Sequence, residues 1–214
     1  MGYSASTAKE FIEHFAPLMV AEGTKRGYRI ISTAIAQAII EGAAGTSSLA
    51  KNYHNHFGLK CGSSWKGASV NMRTKEEYSV GTLTTIKDTF RAYADDEAGV
   101  AGYYDFISTK RYANLKTATS YKEYAQNLKN DGYATSSTYV NTLCSTVTKY
   151  GLTKYDTTTL ADTVNASANK SIDQLAQEVI NGYWMSGTTR KLLLEAAGYN
   201  YTEVQNRVNE ILRG

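Results

Sequence analysis

Two acidic positions could carry proton-transfer chemistry: Glu41, and one of the adjacent pair Glu76 and Glu77. The run Ile35-Ala36-Gln37-Ala38-Ile39-Ile40-Glu41 reads as an apolar helix, and Gly42-Ala43-Ala44-Gly45-Thr46-Ser47-Ser48-Leu49 reads as the loop after it. A carboxyl at the mouth of such a helix has little but glycine, alanine and hydroxyl groups around it. Desolvation there disfavours the ionised form, so the acid is expected to stay protonated near neutral pH. A protonated glutamate beside a cleft meets the requirement for a general acid. The plain alternative is a surface glutamate at a fraying helix end. Cleavage of a glycosidic bond uses two carboxylates flanking the scissile bond, and Glu77 lies 36 positions beyond Glu41. Neighbouring strand residues face opposite ways, so only one of Glu76 and Glu77 could face a cleft. An exposed glutamate on a strand edge has the same signature.

Other reactive residue types point to less. His54-x-His56 with Cys61 has a ligand-like spacing, but Asn55 and Phe57-Gly58-Leu59 around it read as a loop re-entering the core. His14 lies on a separate helix and no second ligand cluster is visible, so neither a metal nor a cofactor is expected. No nucleophile elbow, phosphate loop or dinucleotide fingerprint occurs. The pair Tyr103-Tyr104 reads as helix core packing.

The elements that must position the acids are mostly helical. Thr7-x-x-Glu10 is a capping box, followed by Phe11, Ile12, Phe15 and Leu18 at helical spacing. Pro17, the only proline, is expected to kink or divide that helix. The helix through Ile31, Ile35 and Ile39 is apolar nearly all round, which predicts a central, buried rod. From Val70 the pattern turns β-favouring, and Val70–Arg73 with Glu77–Arg91 predict a small antiparallel lobe with a turn signal at Val80-Gly81-Thr82. Helices then return, capped at Asp95 or Asp96 and at Ser120-x-x-Glu123, with a third over about Tyr139–Tyr150. Lys154 to Lys170 shows no sustained apolar period and reads as a linker. Beyond it, capping boxes at Ser171-x-x-Gln174 and Thr202-x-x-Gln205, a helix opening at Thr188 or Thr189, and stops at Gly182 and Gly198 predict three short helices. A bundle that small leaves little room for a catalytic cleft and suits binding.

Composition narrows the class. A hydrophobic share of 42% over 214 residues supports packed cores. No run approaches the roughly 18 apolar residues of a membrane span. The net charge is +3; through Thr153 there are 17 Lys and Arg against 13 Asp and Glu. That mildly basic body suits an anionic polymer, and without a dense Lys/Arg stripe nucleic acid is not an expected partner. Two cysteines, Cys61 and Cys144, are too few for a disulfide-built scaffold and are expected to be reduced. Seventeen tyrosines against five phenylalanines supply apolar faces with polar tips, which suits sugar-binding grooves as well as ordinary surfaces.

Several segments, in order, resemble the signature of glycoside hydrolase family 73, bacterial and phage endo-β-N-acetylglucosaminidases that act on peptidoglycan. They are Ala36-Gln37-Ala38-Ile39-Ile40-Glu41, Ser48-Leu49-Ala50, Asn55-His56-Phe57-Gly58-Leu59-Lys60, Thr74-Lys75-Glu76-Glu77-Tyr78, Phe90-Arg91-Ala92-Tyr93 and Arg111-Tyr112-Ala113. The resemblance spans about Phe11 to Tyr150. It implies a mainly α, lysozyme-like α+β catalytic domain with a small antiparallel β-lobe, and Glu41 as general acid. The second acid of the family matches Glu77 better than Glu76. Tyr112, Phe57, Asn55 and Tyr78 would contact substrate. Relatives usually follow the glutamate with Ser-Gly-Trp-Gly, where this chain has Gly42-Ala43-Ala44-Gly45, and His56 stands where an aliphatic residue is usual.

The tail is similar to a CW type-seven cell-wall-binding repeat, through Ser171-Ile172-Asp173-Gln174-Leu175-Ala176, Gly182-Tyr183-Trp184, Arg190-Lys191, Ala196-Ala197-Gly198-Tyr199 and Val204-Gln205-Asn206-Arg207-Val208-Asn209. That likeness implies a peptidoglycan-binding three-helix unit with Trp184 and Arg190 as ligand contacts, by stacking and charge pairing. The alternative for Trp184 is the core of the bundle. The expected layout is residues 1–153 as the glucosaminidase domain, 154–170 as linker and 171–214 as the repeat. The expected function is peptidoglycan hydrolysis at the β-1,4 bond between N-acetylglucosamine and N-acetylmuramic acid, by a monomer whose partner is bacterial peptidoglycan, without membrane insertion. A muramidase, a lytic transglycosylase and an inactive wall-binding protein are the alternatives. The start of the chain shows no secretory signal pattern. It is therefore expected to be made in the cytoplasm and released through a holin like a phage lysin, or to be part of an exported autolysin.

Overall fold

The computed structural model describes residues 7–79, 82–156, 170–181, 184 and 187–213, of which 73–79, 82–87, 188, 189, 192 and 196 are described by backbone alone. The chain forms two compact units, Met1–Thr157 and Thr158–Gly214.

In the first unit, α1 (Ala8–Lys25) starts at Thr7, whose hydroxyl accepts the Glu10 N–H at 3.2 Å. The helix runs undivided through Pro17. Phe11, Phe15, Ala16, Met19 and Val20 form one buried stripe on both sides of the proline, and that packing outweighs the single hydrogen bond proline removes. The predicted central rod is α2 (Ser32–Glu41), buried from Ser32 to Ala38. Its first turn has no side-chain cap of its own. Asp156 supplies one from the far end of the unit, accepting the N–H groups of Ile31 and Ser32 at 2.8 and 2.7 Å and the Ser32 hydroxyl at 2.9 Å. Residues 154–156 therefore belong to this unit rather than to a linker, with Tyr155 and Asp156 buried at the end of a 3-10 turn. The remainder of the expected linker, 157–169, lies outside the described residues.

After α3 (Ser48–Tyr53), β1 (Ser69–Ser79) and β2 (Thr82–Arg91) pair antiparallel, with Val70 opposite Phe90 and Glu77 opposite Leu83. The strand runs straight through 74–76, where the sequence suggested a break, because cross-strand pairing continues there. The expected turn at 80–81 lies outside the described residues. The strip Leu59–Cys61 lies along the other edge of β2, with Arg91 N–H donating to Leu59 O and Cys61 N–H to Thr89 O, both at 2.9 Å. Helix α4 (Asp96–Ile107) is capped by Asp95 and packs on α1. Here Gly23 is required, since a Cβ would lie 2.3 Å from the Tyr104 hydroxyl. A 3-10 segment (Lys110–Lys116) leads to α5 (Tyr121–Asn130), capped by Ser120, and α6 (Tyr139–Lys149), which packs on α2 and α5. Cys61 and Cys144 are both free thiols.

The second unit holds α7 (Ile172–Ile180), α8 (Gly187–Ala196) and α9 (Tyr201–Arg213). The Ser171–Gln174 capping box forms as predicted. The third helix is capped by Asn200, not by Thr202: the Asn200 Oδ1 accepts the N–H groups of Thr202 and Glu203. Helix α8 begins at Gly187, before Thr188 and Thr189, while Gly182 lies outside the described residues. Leu175, Ala176, Val179, Leu194, Val204 and Val208 make the core. Among the described residues no helix is long and apolar enough to cross a membrane.

Candidate active site

Glu41 is the last residue of α2, and burial falls away along that turn: Ala38 is buried, Ile39 and Ile40 are half-buried, and Glu41 is exposed. The desolvated carboxyl expected from the apolar helix is therefore not found, because the helix projects its final turn out of the core. The chain then reverses tightly, with Ala43, Ala44 and Gly45 at φ of 49°, 50° and 82°. This reversal brings the His56–Gly58 segment onto the helix end. A Cβ on Gly42 would lie 2.8 Å from Ala38 O and 3.0 Å from His56 O, so only glycine allows that approach. Gly58, at φ 62°, passes beside the acid: a Cβ there would lie 4.0 Å from Glu41 Oε2.

A buried chain of hydrogen bonds reaches the carboxylate from behind. The Tyr103 hydroxyl donates to Gln37 Oε1 at 2.6 Å, and Gln37 Nε2 donates to the Tyr139 hydroxyl oxygen at 3.0 Å. The Tyr139 hydroxyl in turn bonds the Glu41 side chain. Burial first, and the Glu41 charge second, push the Tyr139 pKa far above its ordinary value, so it keeps its proton. Because the Gln37 amide occupies the acceptor side of that hydroxyl, its proton is directed at Glu41. Tyr133, whose pKa burial and neighbouring charges also raise, donates to Phe57 O at 3.0 Å and ties the Gly58 loop down.

Beside the acid lies a groove of about 450 Å³. Phe57 to Ser64, Arg91, Phe106, Arg111, Tyr112, Gly132 and Tyr133 line it, and of these Gly58 passes beside the Glu41 carboxyl and Tyr133 feels its charge. Two guanidinium groups border it. Arg91 lies over the Trp65 ring at 4.6 Å and the Phe106 ring at 5.4 Å, and donates through Nε to Lys60 O. Arg111 donates to the carbonyls of Asp131 and Gly132 and stacks on Tyr112. An acid at the margin of a cationic, aromatic-walled groove can protonate a leaving oxygen of an anionic polymer held there.

Of the residues expected from the sequence, Phe57 and Tyr112 line the groove with Glu41 alongside. Asn55 does not reach it. Its Nδ2 donates to Leu59 O and Arg91 O and its Oδ1 accepts the Leu59 N–H, all at 2.9 Å, so its amide clamps the loop and is fully occupied. Glu76, Glu77 and Tyr78 lie on β1, and their side chains fall outside the described residues. Trp184 is a core residue of the second unit: it is 2% exposed, donates to Glu178 at 2.9 Å and meets Tyr199 edge-on. Its faces are unavailable for stacking on a ligand. Arg190 is half-buried and donates to Gln205 at 2.8 Å. Sequence reasoning missed Gln37, Tyr133 and Tyr139. The polar Gln37 inside an apolar helix was the one available signal, since a buried amide demands partners. It also kept apart residues that the fold assembles: His54, His56 and Asp96, the set among the described residues that could hold a metal, and His14, which bonds the other oxygen of Asp96.

A family model described as mannosyl-glycoprotein endo-beta-N-acetylglucosaminidase matches residues 16–152, and a CW_7 repeat model matches residues 173–212. The exo-glucosaminidase LytG of Bacillus subtilis is 34% identical over 167 residues, covering 74% of this chain and 56% of its own. The peptidoglycan hydrolase FlgJ of Pseudomonas aeruginosa is 32% identical over 140 residues, covering 63% and 34%. The chain thus spans about half or less of these relatives. Among solved structures, the catalytic domain of the autolysin Auto from Listeria monocytogenes has a TM-score of 0.60 at 25% identity, over 73% of this chain and 91% of that one. An N-acetylmuramoyl-L-alanine amidase from Staphylococcus aureus has a TM-score of 0.64 at 31% identity, over 72% and 44%. With one family model spanning more than half its length, the chain belongs to the glucosaminidase family, glycoside hydrolase family 73.

Proposed function

We propose that this chain hydrolyses peptidoglycan at the β-1,4 bond between N-acetylglucosamine and N-acetylmuramic acid, with Glu41 as the proton donor to the leaving oxygen. The observation that carries this reading is the Glu41 carboxyl at the groove margin, held by the Tyr139 hydroxyl and beside the backbone of Gly58. The cationic border at Arg91 and Arg111 suits a glycan that bears carboxylates. Glu77 is the second acid. It either activates water or steadies the charge that develops while the substrate's own 2-acetamido group assists departure. The exo-glucosaminidase and peptidoglycan hydrolase names of the relatives support the same substrate class. The repeat tethers the enzyme to the wall and raises local substrate concentration without touching the chemistry. Arg190 is its proposed ligand contact, and the enzyme acts as a monomer.

Digestion of purified walls tests this reading. Borohydride reduction of the products should label N-acetylglucosamine as the new reducing end. Glu41→Gln should retain wall binding and lose about 10²–10⁴-fold in rate, the range of general acid catalysis. Reduced muramic acid or anhydro ends would replace this reading with a muramidase or transglycosylase. Binding by the native chain without release of ends would make it a wall-binding protein.

A further inference from the structure

We propose that His14, His54, His56 and Asp96 form a binding site for one divalent transition-metal ion of the Zn²⁺ class. This goes beyond the hydrolytic reading and does not depend on it. Asp96 is the first residue of α4, His14 sits on α1, and His54 and His56 flank the clamped Asn55 in the loop after α3. One oxygen of Asp96 lies 2.8 Å from both His54 Nδ1 and His56 Nε2, and the other lies 2.9 Å from His14 Nε2. The ligand atoms of His54, His56 and Asp96 all fall within 4.8 Å of one another.

Three imidazole nitrogens and one carboxylate oxygen form a donor set of the borderline-soft kind that zinc prefers. Tetrahedral zinc holds such atoms at about 2.0–2.1 Å, which places neighbouring ligands roughly 3.3 Å apart. The present nitrogen–oxygen spacings therefore need to open by about half an ångström. His14 Nε2, which bonds the far oxygen of Asp96 and lies outside the group of ligand atoms within 4.8 Å of one another, needs to swing inward to complete the tetrahedron. The backbone around the site is tightly placed. His54 ends α3 at φ 53°, and its carbonyl presses on α4 so closely that a Cβ on Gly99 would lie 2.1 Å from it. His56 and Asp96 side chains are 3% and 9% exposed, while His14 is 36% exposed and opens an entry side.

Without an ion, the same carboxylate accepts an N–H from each ring, and His56 Nδ1 is left buried without a partner. That arrangement places the His56 proton on Nε2. Metal binding displaces it, and the ring proton moves to Nδ1 in a pocket walled by Phe11 and Phe15. No acceptor supports it there, so affinity falls below that of a zinc site with a complete outer shell, by about 10–100-fold. An ion held here ties α1 and α4 to the loop whose next residues, Phe57 and Gly58, border the groove.

The test uses the full, untagged chain after chelator treatment, titrated with Co²⁺ and then Zn²⁺ at neutral pH. One equivalent of Co²⁺ should give the ligand-field absorption of a four-coordinate ion, Zn²⁺ should displace it, and Zn²⁺ should raise the melting midpoint. His54→Gln keeps an amide that can still donate to Asp96, and should weaken Co²⁺ binding at least tenfold. His14→Gln, on the exposed side, should weaken it as well. Absence of both the bands and the melting shift at millimolar Zn²⁺ would overturn the proposal and leave a cluster held by protons alone. Unchanged affinity in both variants would also overturn it, by moving the ion elsewhere, for instance to Cys61 or Cys144. Neither readout uses hydrolysis, so the outcome is separate from that of the wall digestion.

Discussion

Asp156 closes the first turn of the helix that ends in Glu41, from 125 residues away, and its replacement shows what that closure is worth. In Asp156→Ala the N–H groups of Ile31 and Ser32 lose their acceptor in a fully buried place. Each buried unsatisfied donor costs about 1–3 kcal/mol, so the pair costs about 2–6 kcal/mol. Against this stands the penalty of keeping a carboxylate out of water. Desolvation holds the Asp156 pKa above its ordinary value despite the bonds from Ser32 and Ile31. Relief of that penalty offsets part of the loss, so the net cost falls in the lower part of this range, about 2–4 kcal/mol, a large share of a typical domain's stability. Asp156→Asn keeps an oxygen for both N–H groups and removes the charge, so it should stay within about 1 kcal/mol of the native chain. The raised pKa also sets a sign. Its contribution is fully present below the unfolded carboxylate value and is lost as pH rises through the folded one, a slope that Asp156→Asn should remove. Urea unfolding, followed by near-ultraviolet circular dichroism of the buried tyrosines, measures both variants across pH. Equal losses for Ala and Asn would show that the charge, not the acceptor, holds the helix. A loss under about 1 kcal/mol for Ala would refute the capping argument altogether.

Three further outcomes rest on the same geometry. Tyr139→Phe removes the hydroxyl that directs a proton at Glu41; at about 1.5–3 kcal/mol for a bond to a charged group, turnover on purified walls should fall roughly 10–150-fold with wall binding intact. Asn55→Ala should cost the first unit about 1.5–4.5 kcal/mol of stability in urea unfolding, because three loop bonds at about 0.5–1.5 kcal/mol each go; a change in substrate affinity with stability unmoved would restore it as a ligand contact. Trp184→Ala should cost about 3–5 kcal/mol, more than so small a bundle can spare, and so abolish wall retention together with helical circular dichroism from the repeat. Retention lost with the helices intact would return Trp184 to the binding surface.

What was legible in the amino-acid order alone is local or periodic. Thr7, Asp95, Ser120 and Ser171 bond N–H groups three residues ahead, so their capping shows in a four-residue window. The buried rod Ser32–Ala38 and the hairpin show as runs of residue type, and the ordered motifs from Ala36 to Ala113 point to the family and to Glu41. Pro17 misled because a local rule was overruled by a stripe packed on both sides of it. Everything that depends on partners far along the chain was decided by tertiary structure: the exposure of Glu41, the Gln37–Tyr139 relay, the full occupation of the Asn55 amide and the burial of Trp184. The meeting of His14 with Asp96, 82 residues apart, is of that kind too. Short-range hydrogen bonds are set by chain geometry within a turn, whereas these contacts exist only once helix packing has chosen which faces meet.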